Sequence, residues 1–165
     1  MYIHIKEAAY NCVPDKPDPV YAKQLEELIG AQWGEISVML GYMFQAWNSR
    51  GPIKYRDMTL DIGTEEIGHV EMLATMVARL LEKSPVEAQE DGAKDSIVGA
   101  VLGGANIADV IMAGMSPQHA AVSGGGAMPV DSQGNRWTAD YIVASGNLLA
   151  DFRFNVAAES QRRLQ

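Results

Sequence analysis

The sequence has a single cysteine, Cys12, and so no internal disulfide; its fold does not depend on an oxidising compartment. Positive charge is scarce as well: 13 Lys+Arg stand against 21 Asp+Glu, a formal net charge of -8. That balance excludes the basic footprint that nucleic acid or an anionic membrane surface needs, and it favours a cation or a neutral molecule as ligand. No run approaches the ~20 apolar residues of a membrane span, and the opening Met1-Tyr2-Ile3-His4-Ile5-Lys6-Glu7 lacks the apolar stretch of a signal peptide. The expected location is therefore cytoplasmic, with no membrane and no nucleic-acid partner. What is present suffices for one soluble domain over residues 1–165, since 47% of them are hydrophobic and 21% charged.

Helical periodicity dominates the first half. Asp18 can cap orphan backbone donors and Pro19 suits a first helical position. From there one long core helix is expected over 21–47, with Leu25, Leu28, Ile29, Ile36, Met39, Leu40, Met43 and Trp47 as its apolar stripe. Asn48-Ser49-Arg50-Gly51-Pro52 supplies a turn and a proline stop, and a second helix follows over 55–81. So short a link implies an antiparallel pair. Residues 82–137 carry Ser84-Pro85, Gly103-Gly104, Ser116-Pro117 and Gly124-Gly125-Gly126, and read as loop with a short apolar helix over 96–112. A loop of that length is usually functional or lies at an interface. A third helix opens at Asn147, with Phe152, Val156 and Ala157 as its apolar positions, and is still running at Gln165. No glycine cap or proline stops it, so the chain is expected to be incomplete at its carboxy terminus.

Chemistry enters through acids set in apolar rows. Met58, Ile62, Glu66, His69, Leu73, Met76 and Leu80 step by three or four, which aims Glu66 and His69 together into the bundle. A buried carboxylate without a partner costs several kcal/mol, on the order of what a bound cation would compensate. The alternative is an arginine partner for Glu66 and an ordinary core role for His69. Glu35 interrupts the face of the first helix, and Glu159 follows Phe152 and Val156 at helical spacing, so both are expected inward. One Glu, one Glu-x-x-His and one Glu on successive helices make up most of the ligand layout of ferritin-like di-iron and di-manganese carboxylate proteins, whose second Glu-x-x-His comes from a fourth helix. The fold expected is all-α: a ferritin-like four-helix bundle lacking its fourth helix in this chain, with a long loop-rich insertion between helices two and three. The alternative here is three unrelated buried acids, each with its own partner. Asp57 and Asp61 form a separate i, i+4 pair, with Glu65 one step further; a hard cation would relieve their repulsion, and a solvated acidic face is the other reading.

Four strings then carry a resemblance. Phe44-Gln45-Ala46-Trp47 after Tyr42, Thr64-Glu65-Glu66-Ile67-Gly68-His69-Val70-Glu71-Met72, Ser145-Gly146-Asn147-Leu148-Leu149-Ala150-Asp151-Phe152 and Asn155-Val156-Ala157-Ala158-Glu159-Ser160 resemble the signature stretches of the manganese catalases, and the likeness runs through essentially the whole chain. It implies disproportionation of hydrogen peroxide at a carboxylate-bridged pair of manganese ions per subunit. The implied ligands are Glu35, Glu66, His69 and Glu159, with Glu66 and Glu159 of the type that spans both ions. Tyr42 matches a tyrosine whose hydroxyl bonds a ligating carboxylate; an ordinary core aromatic is its other reading. The resemblance also implies a homo-oligomer, a hexamer, with the Gly-rich middle and the amino-terminal arm as contact elements. In some members the acids matching Asp57 and Asp61 bind calcium between subunits, completed by a carboxy-terminal segment without a counterpart here. The family's last ligand, a histidine on the fourth helix, also has no counterpart: His4 lies in the amino-terminal arm and His119 in the Ser116-Pro117-Gln118-His119 loop. Oxygen and imidazole donors do not separate manganese from iron. The rival functions are therefore a ferritin-like iron-binding or iron-oxidising protein and a truncated, non-catalytic structural subunit.

Overall fold

Asp18 starts the first helix. Its carboxylate accepts the backbone N–H of Tyr21 at 2.9 Å, and Pro19 occupies the first turn, where its missing N–H is not needed, so α1 runs Pro19–Gly30. The structure is a computed structural model that describes residues 3–82 and 127–162.

The helix does not continue to residue 47. Ala31 turns to an extended conformation while its N–H still bonds the Glu27 carbonyl, and α2 (Glu35–Asn48) begins afresh from Gly34. Backbone packs closely on both sides of this break. A Cβ on Gly30 would lie 2.3 Å from the Val130 nitrogen, and one on Gly34 2.7 Å from the Ile29 carbonyl oxygen. The single helix expected over 21–47 is therefore corrected to helix, turn, helix. Trp47, expected at the end of its buried stripe, is exposed, with its ring edge-on to Phe44.

The third helix, α3, runs Ile53–Leu81 after Pro52 and matches its expected extent closely. Its far end is tied to the start of α1 by the Asp18 N–H, which donates to the Leu80 carbonyl at 2.9 Å. Between these helices Ala22 and Ile29 pack on Val77 and Leu80, joined by Leu25, Ile36, Leu73 and Met76. A second apolar cluster holds Val38, Tyr42 and Ala158, with Trp33, Ile62 and Phe154 against them. Gly63 lets α3 approach α2 closely there, since a Cβ would stand 3.1 Å from that of Tyr42.

Residues 127–137 form a loop closed by one antiparallel bridge, Val130 to Arg136, with Gly134 in the left-handed region at φ 84°. Asp131 accepts the N–H groups of Gln133 and Asn135, while Glu27 on α1 accepts the Ser132 N–H and hydroxyl at 2.9 and 2.7 Å. These bonds press the loop onto α1 and explain why residue 30 is glycine. The helix expected over 96–112 and His119 lie outside the described residues.

The last helix, α4, runs Leu148–Arg162 after a short 3₁₀ turn at Ala139–Tyr141. It opens where expected: the Asn147 side chain accepts the N–H groups of Leu149 and Ala150 at 3.1 and 3.2 Å. Its inward face, however, is not the expected one. Val156 is 69% exposed and Ala157 is exposed, whereas Asp151 and Ala158 are buried and Asn155 bonds across to α2. Polar side chains with partners took the interior that the apolar pattern assigned to Val156. Among the described residues the fold is all-α, and no helix is long and apolar enough to cross a membrane.

Candidate metal centre

Three helices deliver acids to one place. Glu35 is the first residue of α2, where unpaired backbone N–H groups favour a carboxylate. Glu66 and His69 share a face of α3. Glu66 is only 3% exposed, and His69 Nδ1 lies 2.6 Å from Glu66 Oε2 and 3.8 Å from Glu35 Oε2. Among the described residues, the one group of three or more potential ligands within 4.8 Å of one another is Glu35, Glu66 and His69. Glu159 stands outside that group but is joined to it by Arg162, three residues further along α4.

The Arg162 guanidinium sits between all three acids. Its Nη1 donates to Glu35 Oε2 and, at 3.3 Å, to Glu66 Oε2; its Nη2 donates to Glu66 Oε1 at 3.2 Å and to Glu159 Oε2. The arginine partner for Glu66 that the sequence left open is thus present, and it serves Glu35 and Glu159 too. His69 is not an ordinary core histidine, since its side chain is 37% exposed. Sequence reasoning passed over Arg162. The available signal was Glu159-x-x-Arg162, which repeats the spacing of Glu66-x-x-His69.

Neighbouring groups fix the acids in position. Tyr42 donates its hydroxyl proton to Glu159 Oε1 at 2.7 Å. One turn away Gln45 and Asn155 exchange amide bonds, Nε2 to Oδ1 at 3.0 Å and Nδ2 to Oε1 at 2.7 Å, and Gln45 Nε2 also reaches the Val143 carbonyl at 2.8 Å. Asp151, at the start of α4, accepts the Ser145 N–H and hydroxyl at 2.8 and 2.7 Å.

The electrostatics follow from burial and crowding. Burial pushes the Glu35 carboxyl well above the usual carboxylate range; a hydrogen bond to Glu66 and the Glu66 charge push it further, and Arg162 offsets only part. For Glu66 burial also opposes ionisation, but hydrogen bonds from Glu35 and Arg162, the Arg162 charge and the His69 bond hold it below that range. Burial, then the bond to Glu159, raises the Tyr42 hydroxyl and keeps it a proton donor. Arg162 is held protonated by Glu66, Glu159 and Glu35 despite its burial. Three acids thus share the Arg162 guanidinium. The donors of the cluster are carboxylate oxygens and an imidazole without thiolate, which fits manganese or non-haem iron better than zinc or copper.

Other sequence candidates are placed elsewhere. Asp57 accepts Arg56 Nε and Nη2 at 3.2 and 3.1 Å, and neither it nor the exposed Asp61 belongs to a group of three potential ligands among the described residues. His4 Nε2 lies 2.7 Å from Glu71 Oε1, on a different face of α3.

Comparison with known proteins gives a consistent family. A family model described as manganese containing catalase matches residues 1–165. A manganese catalase of Bacillus subtilis is 54% identical over 165 residues, which is all of this chain and 57% of that protein. A manganese catalase of Lactiplantibacillus plantarum is 44% identical over 165 residues, covering 58% of its own length. The chain therefore spans less than two thirds of these relatives. The crystal structure of KatB, a manganese catalase from Anabaena, superposes with a TM-score of 0.76 at 29% identity, over 99% of this chain and 63% of that one.

Proposed function

The chain belongs to the manganese-containing catalases and has their ferritin-like all-α fold, and from that premise we propose that it carries most of a dimanganese centre disproportionating hydrogen peroxide to water and dioxygen. The observation behind this reading is the convergence of Glu35, Glu66 and His69 within 4.8 Å, with Glu159 joined to them through Arg162. In this reading Glu35, Glu66, His69 and Glu159 would hold the two ions. Manganese, alternating between its (II,II) and (III,III) pairs, would supply the two electrons exchanged with each peroxide.

The surrounding side chains do the rest. Tyr42 holds Glu159 in one rotamer through its hydroxyl, an outer bond of the kind that tunes a ligand's basicity. Oxidising one peroxide to dioxygen releases two protons, and reducing the next to two waters takes two up. Glu159, at 43% the most exposed of the three acids, is placed to accept and return them. The same proposal includes a homo-oligomer, a hexamer, in the cytoplasm, and calcium at Asp57 and Asp61. Arg56 already relieves part of the repulsion between those two acids.

The test is oxygen release from hydrogen peroxide by the purified chain, with its manganese and iron content measured after expression in a medium holding both metals. Two manganese per chain with oxygen release is expected, and Glu66→Gln should lose both. Iron loading with no oxygen would move the protein to the iron-oxidising reading. A metal-poor, inactive chain would leave only a structural role.

A further inference from the structure

We infer that Arg162 is the internal counter-cation of the metal-free centre, and that its side chain must leave the cluster before manganese can enter. The inference rests on the proposed ligand role of Glu35, Glu66, His69 and Glu159 and concerns how that site is filled.

The geometry assigns Arg162 this place because its two terminal nitrogens divide the acids as two ions would. Nη1 lies between Glu35 and Glu66, Nη2 between Glu66 and Glu159, and Glu66 receives one bond on each oxygen. The planar fork of a guanidinium is the one cationic side chain able to imitate such a pair. Divalent ions held by these same oxygens at roughly 2.0–2.6 Å would stand in the places that Nη1 and Nη2 occupy. Metal and guanidinium therefore exclude each other.

Removal of the arginine without a replacement would be unfavourable. Its side chain is 12% exposed, and those of Glu35 and Glu66 are 15% and 4% exposed, so vacating it leaves buried acids with no positive partner. Replacement by a doubly charged ion is different, since one guanidinium faces three acids. His69 adds a further distinction. Its Nδ1 lies 2.6 Å from Glu66 Oε2 and 3.8 Å from Glu35 Oε2, so it offers a metal an imidazole that the guanidinium does not engage.

The experiment titrates Mn(II) into the metal-free chain, wild type and Arg162→Met, following unbound Mn(II) by its electron paramagnetic resonance signal and the melting temperature of each form. Arg162→Met is expected to bind Mn(II) at least tenfold more tightly, and to melt lower than wild type without metal but level with it when saturated. Arg162→Lys should fall between. Unchanged or weaker Mn(II) binding in Arg162→Met overturns the inference while leaving the metal site standing. Failure of both proteins to bind Mn(II) overturns the metal reading itself, and this inference with it. If Arg162→Met does not fold when metal-free, recovery of its helicity on adding Mn(II) is expected; a variant still unfolded at saturating Mn(II) counts against the inference.

Discussion

Burial acts on Glu26 much as it does on Glu35, but with a pH consequence that can be read in isolation. Desolvation pushes the Glu26 carboxyl up to about 7, a nearby Lys23 charge and a Met128 backbone bond pull it back in part, and Asp131 adds to the rise. Its folded value thus exceeds the ordinary 4.5. Below both values the group is protonated in either state and costs nothing. As pH rises through this window the unfolded chain ionises first, so stability falls, and the full penalty is present above pH 7. Glu26→Gln should therefore stabilise the protein at pH 8, by about 1 kcal/mol after discounting for solvent, and do little at pH 4.5. Thermal melts at both values check this, and equal shifts at the two would show that charge is not the cause. Tyr42→Phe should cost about 0.5–1.5 kcal/mol for the lost bond to Glu159 and lower manganese content, as metal analysis would report. At this scale Glu35, Glu66, His69 and Tyr42 were legible because each interrupts or completes an apolar row. Arg162 was not, because a guanidinium near the open end of a helix reads as a solvated charge until its neighbours on other helices are known.

Among the elements, the break between α1 and α2 shows what periodicity cannot see. Leu28, Ile29 and Ile36 keep helical spacing across residues 31–34, and no proline interrupts them. At this break the 127–137 loop, a hundred residues away, packs against Gly30. Gly30→Ala should accordingly destabilise by about 1–3 kcal/mol, because backbone atoms of Pro129 and Val130 would have to retreat. Gly68→Ala is the matched control: a Cβ there meets nothing within 4 Å, so removing a mid-helix glycine from α3 should stabilise by about 0.5–1 kcal/mol. Chemical denaturation of both reads the opposite signs; stabilisation by both would mean that helix propensity and not the loop governs these sites. The ends of α3 and the start of α4 were legible for the converse reason. Pro52 and Asn147 act through their own backbone neighbours, so sequence alone contains the cause. The inward face of α4 depended on partners in α2, and the apolar pattern therefore picked Val156 wrongly.

For the molecule as a whole, a site that gathers acids from three helices couples metal to folding. A ligand that binds only the folded state, at a hundredfold excess over its Kd, adds about 2.7 kcal/mol, or roughly 5–10 °C in melting temperature for a chain of this size. Mn(II) should produce such a shift, and Mg(II), which keeps its waters more tenaciously, a smaller one. Equal shifts with the two ions would point to general screening of the -8 net charge instead of a site. The reciprocal Gln45–Asn155 pair has a consequence on the same scale. Sliding α4 by one residue would carry it about 1.5 Å along its axis and turn it about 100°, which separates both amides at once and takes Glu159 away from Tyr42. The pair is thus an index pin for the third helix of the centre, a length standard written in hydrogen bonds. Replacing both amides by well-packed leucines could leave the chain as stable as before and still lose the spacing of its acids, so thermostability and metal occupancy are separable properties of this fold.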